Sequence, residues 1–157
     1  TICKHFGCHT IVTSRHKWKL DKALALGASE AVLDEGEDWS RVVRGFTGKR
    51  GVDVCVDSVG GPLHLPCIKS LPRGGKLVTF GCTAGVAPKT DLARIFWNQL
   101  SVLGSTMGDM DEFREVLSLF KNGMKPVIDS VHDAGDASAA FARLESGEQF
   151  GKIVLKW

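Results

Sequence analysis

The chain has 157 residues, 43% of them hydrophobic, and its 20 Lys and Arg against 18 Asp and Glu leave a formal charge of +2. That length suits one domain, the near balance of charge argues against a nucleic-acid binder, and no run of 18 apolar residues exists to cross a membrane. Cys3, Cys8, Cys55, Cys67 and Cys82 are odd in number and include no C-x-x-C pair, which disfavours a disulfide framework and a four-cysteine zinc site and favours reduced thiols in a cytoplasmic protein.

In chain order, Thr1 to Phe6 reads as the end of a helix stopped by Gly7, so the chain is expected to start mid-domain. Thr10-Ile11-Val12 is a strand, Leu20 to Leu26 a helix stopped by Gly27, and Ala31-Val32-Leu33 a second strand. Trp39, Val42, Val43 and Phe46 fall at i, i+3, i+4 and i+7, one face of a helix. Val52 to Val56 is a strand whose apolar residues do not alternate cleanly with polar ones, so it is expected to be covered on both faces. Gly60-Gly61-Pro62 turns the chain into a helix that carries Pro66 and is expected to be short or irregular.

After a turn at Pro72 to Gly75, Lys76 to Phe80 is a strand, Asp91 to Trp97 a short helix, and Leu100 to Leu103 another strand. Met110, Phe113, Val116, Leu117 and Phe120 mark one stripe of a helix ending at Gly123, with Asp109, Asp111 and Glu112 placed to favour its N-terminus. Val127 to Val131 is a strand, Ala137, Ala140, Phe141 and Leu144 share a helix face, and Ile153 to Leu155 is the final strand. Alternating β and α units of this size predict a parallel sheet with helices on both faces.

Three segments carry a family resemblance: Leu26-Gly27-Ala28-Ser29-Glu30-Ala31-Val32; Gly51 to Gly61 with Gly74-Gly75-Lys76-Leu77-Val78 and Gly81; and Phe150-Gly151-Lys152-Ile153-Val154-Leu155. In this order and spacing the chain resembles the cofactor domain of the medium-chain dehydrogenase/reductase superfamily, in its zinc-binding alcohol dehydrogenase and quinone oxidoreductase branches. The resemblance implies a Rossmann-type doubly wound sheet of order 3-2-1-4-5-6, with the strands near residues 10, 31, 54, 78 and 102 as strands two to six. It implies a Rossmann domain over residues 1–123 and a segment, 124–157, that returns toward the catalytic domain.

The first strand and its G-x-G-x-x-G turn are absent from this sequence. That turn normally brings backbone N–H groups and a helix N-terminus to the pyrophosphate. The catalytic domain and any zinc ligands are expected upstream, so no residue here is assigned a catalytic or metal-binding role. With a central gap and two apolar edges, Thr1–Trp157 alone is not expected to form a stable monomer.

The end of the second strand of such a fold separates NAD, held by a carboxylate, from NADP, held by a basic residue. Here it reads Thr13-Ser14-Arg15-His16-Lys17-Trp18-Lys19-Leu20, with no acid until Asp21. Arg15 is suited to bidentate phosphate pairing, Lys19 stands where quinone-reductase-like members carry a phosphate-binding lysine, and Ser14 adds a hydroxyl. NADP is therefore the expected cofactor; the plain alternative is a solvated basic helix start. Ser58, Val59 and Gly60 follow the fourth strand of the family pattern and Gly81, Cys82 and Thr83 the fifth, both at carboxyl ends where ligands bind; the alternative is tight turns only. Phe150, Gly151 and Lys152 match a tail that approaches the cofactor. The five histidines lack ligand spacing, and Cys82 is read as a structural thiol before a reactive one.

Two functional classes follow. One is an enzyme moving hydride between NADP(H) and a small-molecule carbonyl, quinone, activated alkene or alcohol; the other is an NADPH-binding protein or sensor without turnover. A methyltransferase of similar architecture is disfavoured by the V-D-S-V-G-G and G-K-I-V-L segments. The resemblance also implies homodimer pairing through the strand near Leu100 to Gly104, and no membrane or nucleic-acid partner.

Overall fold

Short apolar bursts separated by glycine become strands of four to six residues, and the segments between them become helices. The computed structural model describes all residues, Thr1–Trp157. Two compact units result: Thr10–Gly108, and Thr1–His9 together with Asp109–Trp157.

Within Thr10–Gly108, β1 (Ile11–Ser14), α2 (Lys17–Ala25) and β2 (Glu30–Leu33) form a parallel β-α-β unit, with Ile11 opposite Glu30 and Ser14 opposite Leu33. The helix α3 (Ser40–Phe46) leads to β3 (Val54–Asp57), α4 (His64–Ser70), β4 (Lys76–Thr79), α5 (Leu92–Trp97) and β5 (Ser101–Gly104). These last three strands form a second parallel sheet of order β3-β4-β5. The five strands predicted near residues 10, 31, 54, 78 and 102 are all present, parallel and flanked by helices. β1 and β3 are not paired with each other, and each keeps one edge free. The two parallel sheets, with helices packed on them, have the Rossmann-like α/β form expected from the sequence.

One apolar core ties the two sheets together. Val32 of β2, Trp39 and Val43 beside and on α3, Cys67, Ile68 and Leu71 on and after α4, Leu77 of β4 and Leu100 form a single buried cluster. Ile11, Val52, Cys55 and Ile95 pack against it. Ile68 and Leu77 have no exposed surface, so α4 on β4 is its densest point. Burial of apolar area of this kind is the dominant favourable term in folding.

Two expectations are corrected, those for β3 and for the α3 stripe. β3 is covered on one face only: Cys55 and Asp57 point inward, while Val54 and Val56 are 50% and 61% exposed. The mixed apolar pattern therefore includes an exposed face. The helix that carries Pro66 is short, as expected, with seven residues in α4. A 3₁₀ turn at Gly61–Leu63 takes Pro62, and Pro66 becomes the third residue of α4, where an N–H has no helical partner to lose. Of the α3 stripe, Trp39 and Val43 are buried but Val42 and Phe46 are exposed.

In the other unit, α1 (Ile2–His5) is the short first helix, as read. α6 (Met110–Lys121) opens with a capping box: Asp109 Oδ1 accepts from the Asp111 and Glu112 N–H groups at 2.8 and 2.9 Å, and Glu112 Oε2 accepts from the Asp109 N–H at 2.9 Å. The acids favour the helix start through named hydrogen bonds as well as the dipole. Its stripe residues Met110, Phe113, Val116 and Leu117 are exposed. β6 (Ile128–Asp133) and β7 (Lys152–Lys156) pair in parallel around α7 (Ala137–Ser146).

Candidate functional site

The carboxyl ends of β1, β3 and β4 all lie in Thr10–Gly108. Two of the loops that follow them are in direct contact. Ala84 N–H donates to the Val59 carbonyl at 2.8 Å, and Gly61 N–H to the Gly85 carbonyl at 3.1 Å. A Cβ on Gly81 would stand 2.5 Å from the Ser58 carbonyl oxygen, and one on Gly60 would stand 3.1 Å from Cys82 Cα. The structure thus brings Ser58, Val59 and Gly60 together with Gly81 and Cys82 as one backbone-on-backbone platform. Gly60 also holds φ +64, a conformation that L side chains rarely adopt. These glycines are required for the two loops to pack on each other.

Sequence reading missed Asp57, which builds this platform. Its side chain is 4% exposed. Its Oδ1 accepts from the Val59 N–H at 2.8 Å and the Gly60 N–H at 3.0 Å. Its Oδ2 is buried with no hydrogen-bond partner inside the chain. A buried carboxylate oxygen without a partner is costly. The sequence signal was an acid ending an apolar strand directly before Ser-Val-Gly-Gly, the pattern of an Asx turn.

Cys82 and Thr83 are both exposed, so Cys82 is not a packing residue. It sits on an exposed loop, with its Cα and Cβ against Gly60.

At the end of β1 the predicted trio is spread over a turn and the first helical turn of α2. Ser14 Oγ accepts from the His16 N–H at 3.2 Å, which leaves its hydroxyl proton available. Arg15 is exposed and forms no hydrogen bond or ion pair within the chain. Lys19 is half-buried, with its ammonium 5.2 Å from the Trp18 ring centroid; Lys22 lies over the same ring at 4.9 Å. Trp18 is therefore a cation acceptor, with both lysines inside the range of that attraction. The nearest acid in sequence, Asp21, is taken up by Lys17 at 2.8 Å. Folding brings a second acid close: the Asp34 N–H donates to the Ser14 carbonyl at 2.9 Å. The Asp34 carboxylate accepts from the Gly36 N–H at 3.1 Å and so caps its own turn.

Phe150, Gly151 and Lys152 lie in the other unit, at the start of β7. The Phe150 N–H donates to Asp129 Oδ1 at 2.8 Å, and the Lys152 N–H to the Val127 carbonyl at 2.9 Å. Arg143 grips the same carboxylate with Nε at 2.5 Å and a second nitrogen at 2.9 Å. Asp129 is 5% exposed. The Arg143 guanidinium and the Phe150 N–H hold its carboxyl well below the usual carboxylate range. No three His, Cys, Asp or Glu side chains come together in a way that could hold a metal ion, and no helix is long and apolar enough to cross a membrane.

Comparison with known proteins agrees with this architecture. A family model described as zinc-binding dehydrogenase matches residues 1–122. A protein named L-threonine 3-dehydrogenase, from Shewanella loihica, is 27% identical over 161 residues, an alignment covering 99% of this chain and 47% of that protein. A crystal structure named NAD-dependent alcohol dehydrogenase is 35% identical with a TM-score of 0.90, over 99% of this chain and 46% of the other. A quinone oxidoreductase from Pseudomonas syringae, 24% identical, shares the fold with a TM-score of 0.83, over 98% of this chain and 50% of its own. The chain spans about half the length of the relatives it matches.

Proposed function

The chain belongs to the zinc-binding dehydrogenase family, and from that premise we propose that it is the cofactor-binding part of an oxidoreductase that moves hydride between NADP(H) and a small-molecule carbonyl, quinone, activated alkene or alcohol. The observation that carries the NADP reading is the turn after β1, where Arg15 presents a guanidinium with no partner inside the chain.

The residues fit a dinucleotide. The paired loops after β3 and β4 form a side-chain-poor platform at strand carboxyl ends, where open parallel sheets bind ligands. Arg15 pairs with the 2′-phosphate, Ser14 donates its free hydroxyl proton to the same group, and Lys19 adds positive charge at the cost of its place over Trp18. Ser58, Val59, Gly60, Gly81, Cys82 and Thr83 supply backbone surface for the ribose and ring. Phe150, Gly151 and Lys152 are assigned to the cofactor on family resemblance alone. When bound, the nicotinamide supplies the hydride chemistry; the protein supplies binding and orientation. No three His, Cys, Asp or Glu side chains of this chain are gathered to hold a metal ion. Residues 124–157 are the return segment toward a catalytic domain, β5 is the edge through which two copies pair, and the cytoplasm is the expected location.

Titration of the full-length protein with each cofactor tests the reading. Arg15→Ala weakens NADPH about tenfold to a hundredfold, the range of one charged hydrogen bond, and leaves NADH nearly unchanged. Equal losses on both cofactors refute it. Two rivals keep a specific footing. NAD is favoured by the name of the 35% identical structure and by Asp34 beside the Ser14 backbone; tighter NADH than NADPH binding in the wild type selects it. A binding protein without turnover is selected if NADPH binds tightly but is not oxidised by any of a panel of quinones, enones and aldehydes.

A further inference from the structure

On the helical layer of Thr10–Gly108 lies a cleft of about 450 Å³ lined by Asp38, Ser40, Arg41, Arg44, Lys69 and Arg94. None of these residues belongs to the loops that follow β1, β3 or β4. Four lining side chains are cationic and one is anionic. The single carboxylate, Asp38, is already engaged: Lys69 Nζ donates to it at 2.8 Å, and the Ser40 hydroxyl and N–H donate at 2.5 and 3.1 Å.

The three arginines are left without a hydrogen-bonded carboxylate. Arg44 is anchored on carbonyls, donating to Leu71 at 3.1 Å and to Lys49 at 2.5 Å. That fixes its position and leaves its charge uncompensated. Arg94 Nε is shut off from solvent and makes no hydrogen bond, with Asp91 Oδ2 3.6 Å away. Arg41 is exposed and has no partner. Like charges drawn from α3, α4 and α5 to one concave wall repel each other, and a cleft concentrates their field. An anion removes that repulsion. Guanidinium forks match phosphate oxygens in pairs, and a volume of this size is that of a small-molecule site.

We propose that the cleft between α3, α4 and α5 is a binding site for a small phosphorylated anion of two or more negative charges, with Arg41, Arg44 and Arg94 as its ligands and Lys69–Asp38 as its fixed wall. The site is separate from the cofactor platform, and binding there does not depend on which nicotinamide cofactor the protein takes.

The test is calorimetric titration of the full-length protein with sodium pyrophosphate, in saturating NADPH and NADH so that the cofactor site is filled. One saturable site per chain is expected. Arg41→Glu and Arg94→Gln should each weaken it at least about tenfold, while Lys125→Glu, an exposed charge in the other unit, should leave it within about twofold, which separates local contact from net charge. Arg41→Glu touches no partner and is expected to fold, so it decides the matter if Arg94→Gln does not. Absence of saturable heat, equal loss in the Lys125→Glu control, unchanged binding in Arg41→Glu, or citrate binding as tightly as pyrophosphate would each overturn the assignment.

Discussion

Gly81 offers a clean way to ask whether the contact between the loops after β3 and β4 matters. It has no positive φ, so alanine brings no backbone strain there; the only obstacle is space. A Cβ at this position stands 2.5 Å from the Ser58 carbonyl oxygen and 3.3 Å from its carbon. Real Cβ contacts essentially never fall under 3.0 Å, so the loops must part by at least the difference, 0.5 Å. The obstructing atom is backbone and cannot swing aside. Overpacking of this kind costs about 1–3 kcal/mol. The separation would also strain the hydrogen bond from the Ala84 N–H to the Val59 carbonyl. Gly81→Ala should therefore lower the melting temperature of the full-length protein by several degrees, about 2–4 °C per kcal/mol in a larger domain. It should also weaken cofactor binding, because the platform itself moves. Gly135→Ala, where a Cβ meets nothing within 4 Å and φ is not positive, is the control for the loss of a glycine. If Gly81→Ala matches Gly135→Ala in both melting temperature and cofactor affinity, the platform reasoning is wrong.

The other predictions concern charge and thiol chemistry. Because the folded Asp129 carboxyl lies below its ordinary value of about 3.9, its stabilisation is fully present above that pH and is lost as pH falls through the folded value. Asp129→Asn should thus flatten the acid limb of stability against pH below about pH 4, and an unchanged slope in chemical denaturation at those pH values counts against the Arg143–Asp129 lock. Brief alkylation of the cofactor-free protein, read peptide by peptide in a mass spectrometer, should label Cys3, Cys8 and Cys82, which are exposed, well before Cys67. Contact with Cys55 and burial push the Cys67 thiol up, and only the thiolate attacks. Labelling of Cys67 at the rate of Cys82 would contradict this.

Much of the fold was legible along the chain. Strand positions followed from apolar bursts bounded by glycine, because a buried parallel strand needs little more than a few branched residues and a turn on each side. Covering was not legible. Val54 and Val56 read as core, yet they are exposed, because a strand's apolar pattern does not say which of its faces another element packs against. The helix carrying Pro66 is short, as its sequence implied, and the 3₁₀ turn before it places Pro66 in the first helical turn, where its missing N–H costs nothing. Whether Val42 or Val43 of α3 points inward likewise depends on which neighbour the helix meets.

The sequence by itself determined the alternation of strands and helices, the glycine-rich strand ends and the basic turn at Ser14, Arg15 and Lys19. These are local properties: each depends on residues a few positions apart. Only the tertiary structure decided that the loops after β3 and β4 rest on each other, that Asp57 pins one of them with an oxygen to spare, that Lys19 lies over Trp18, and that Asp34 arrives beside Ser14. It alone gathered Arg41 and Arg44 of α3 and Arg94 of α5 into one cleft. Apart from the local contacts of Lys19 with Trp18 and of Asp57 with Val59 and Gly60, those facts join residues tens of positions apart, and their energy comes from contacts that exist only once the core of Ile68 and Leu77 has closed.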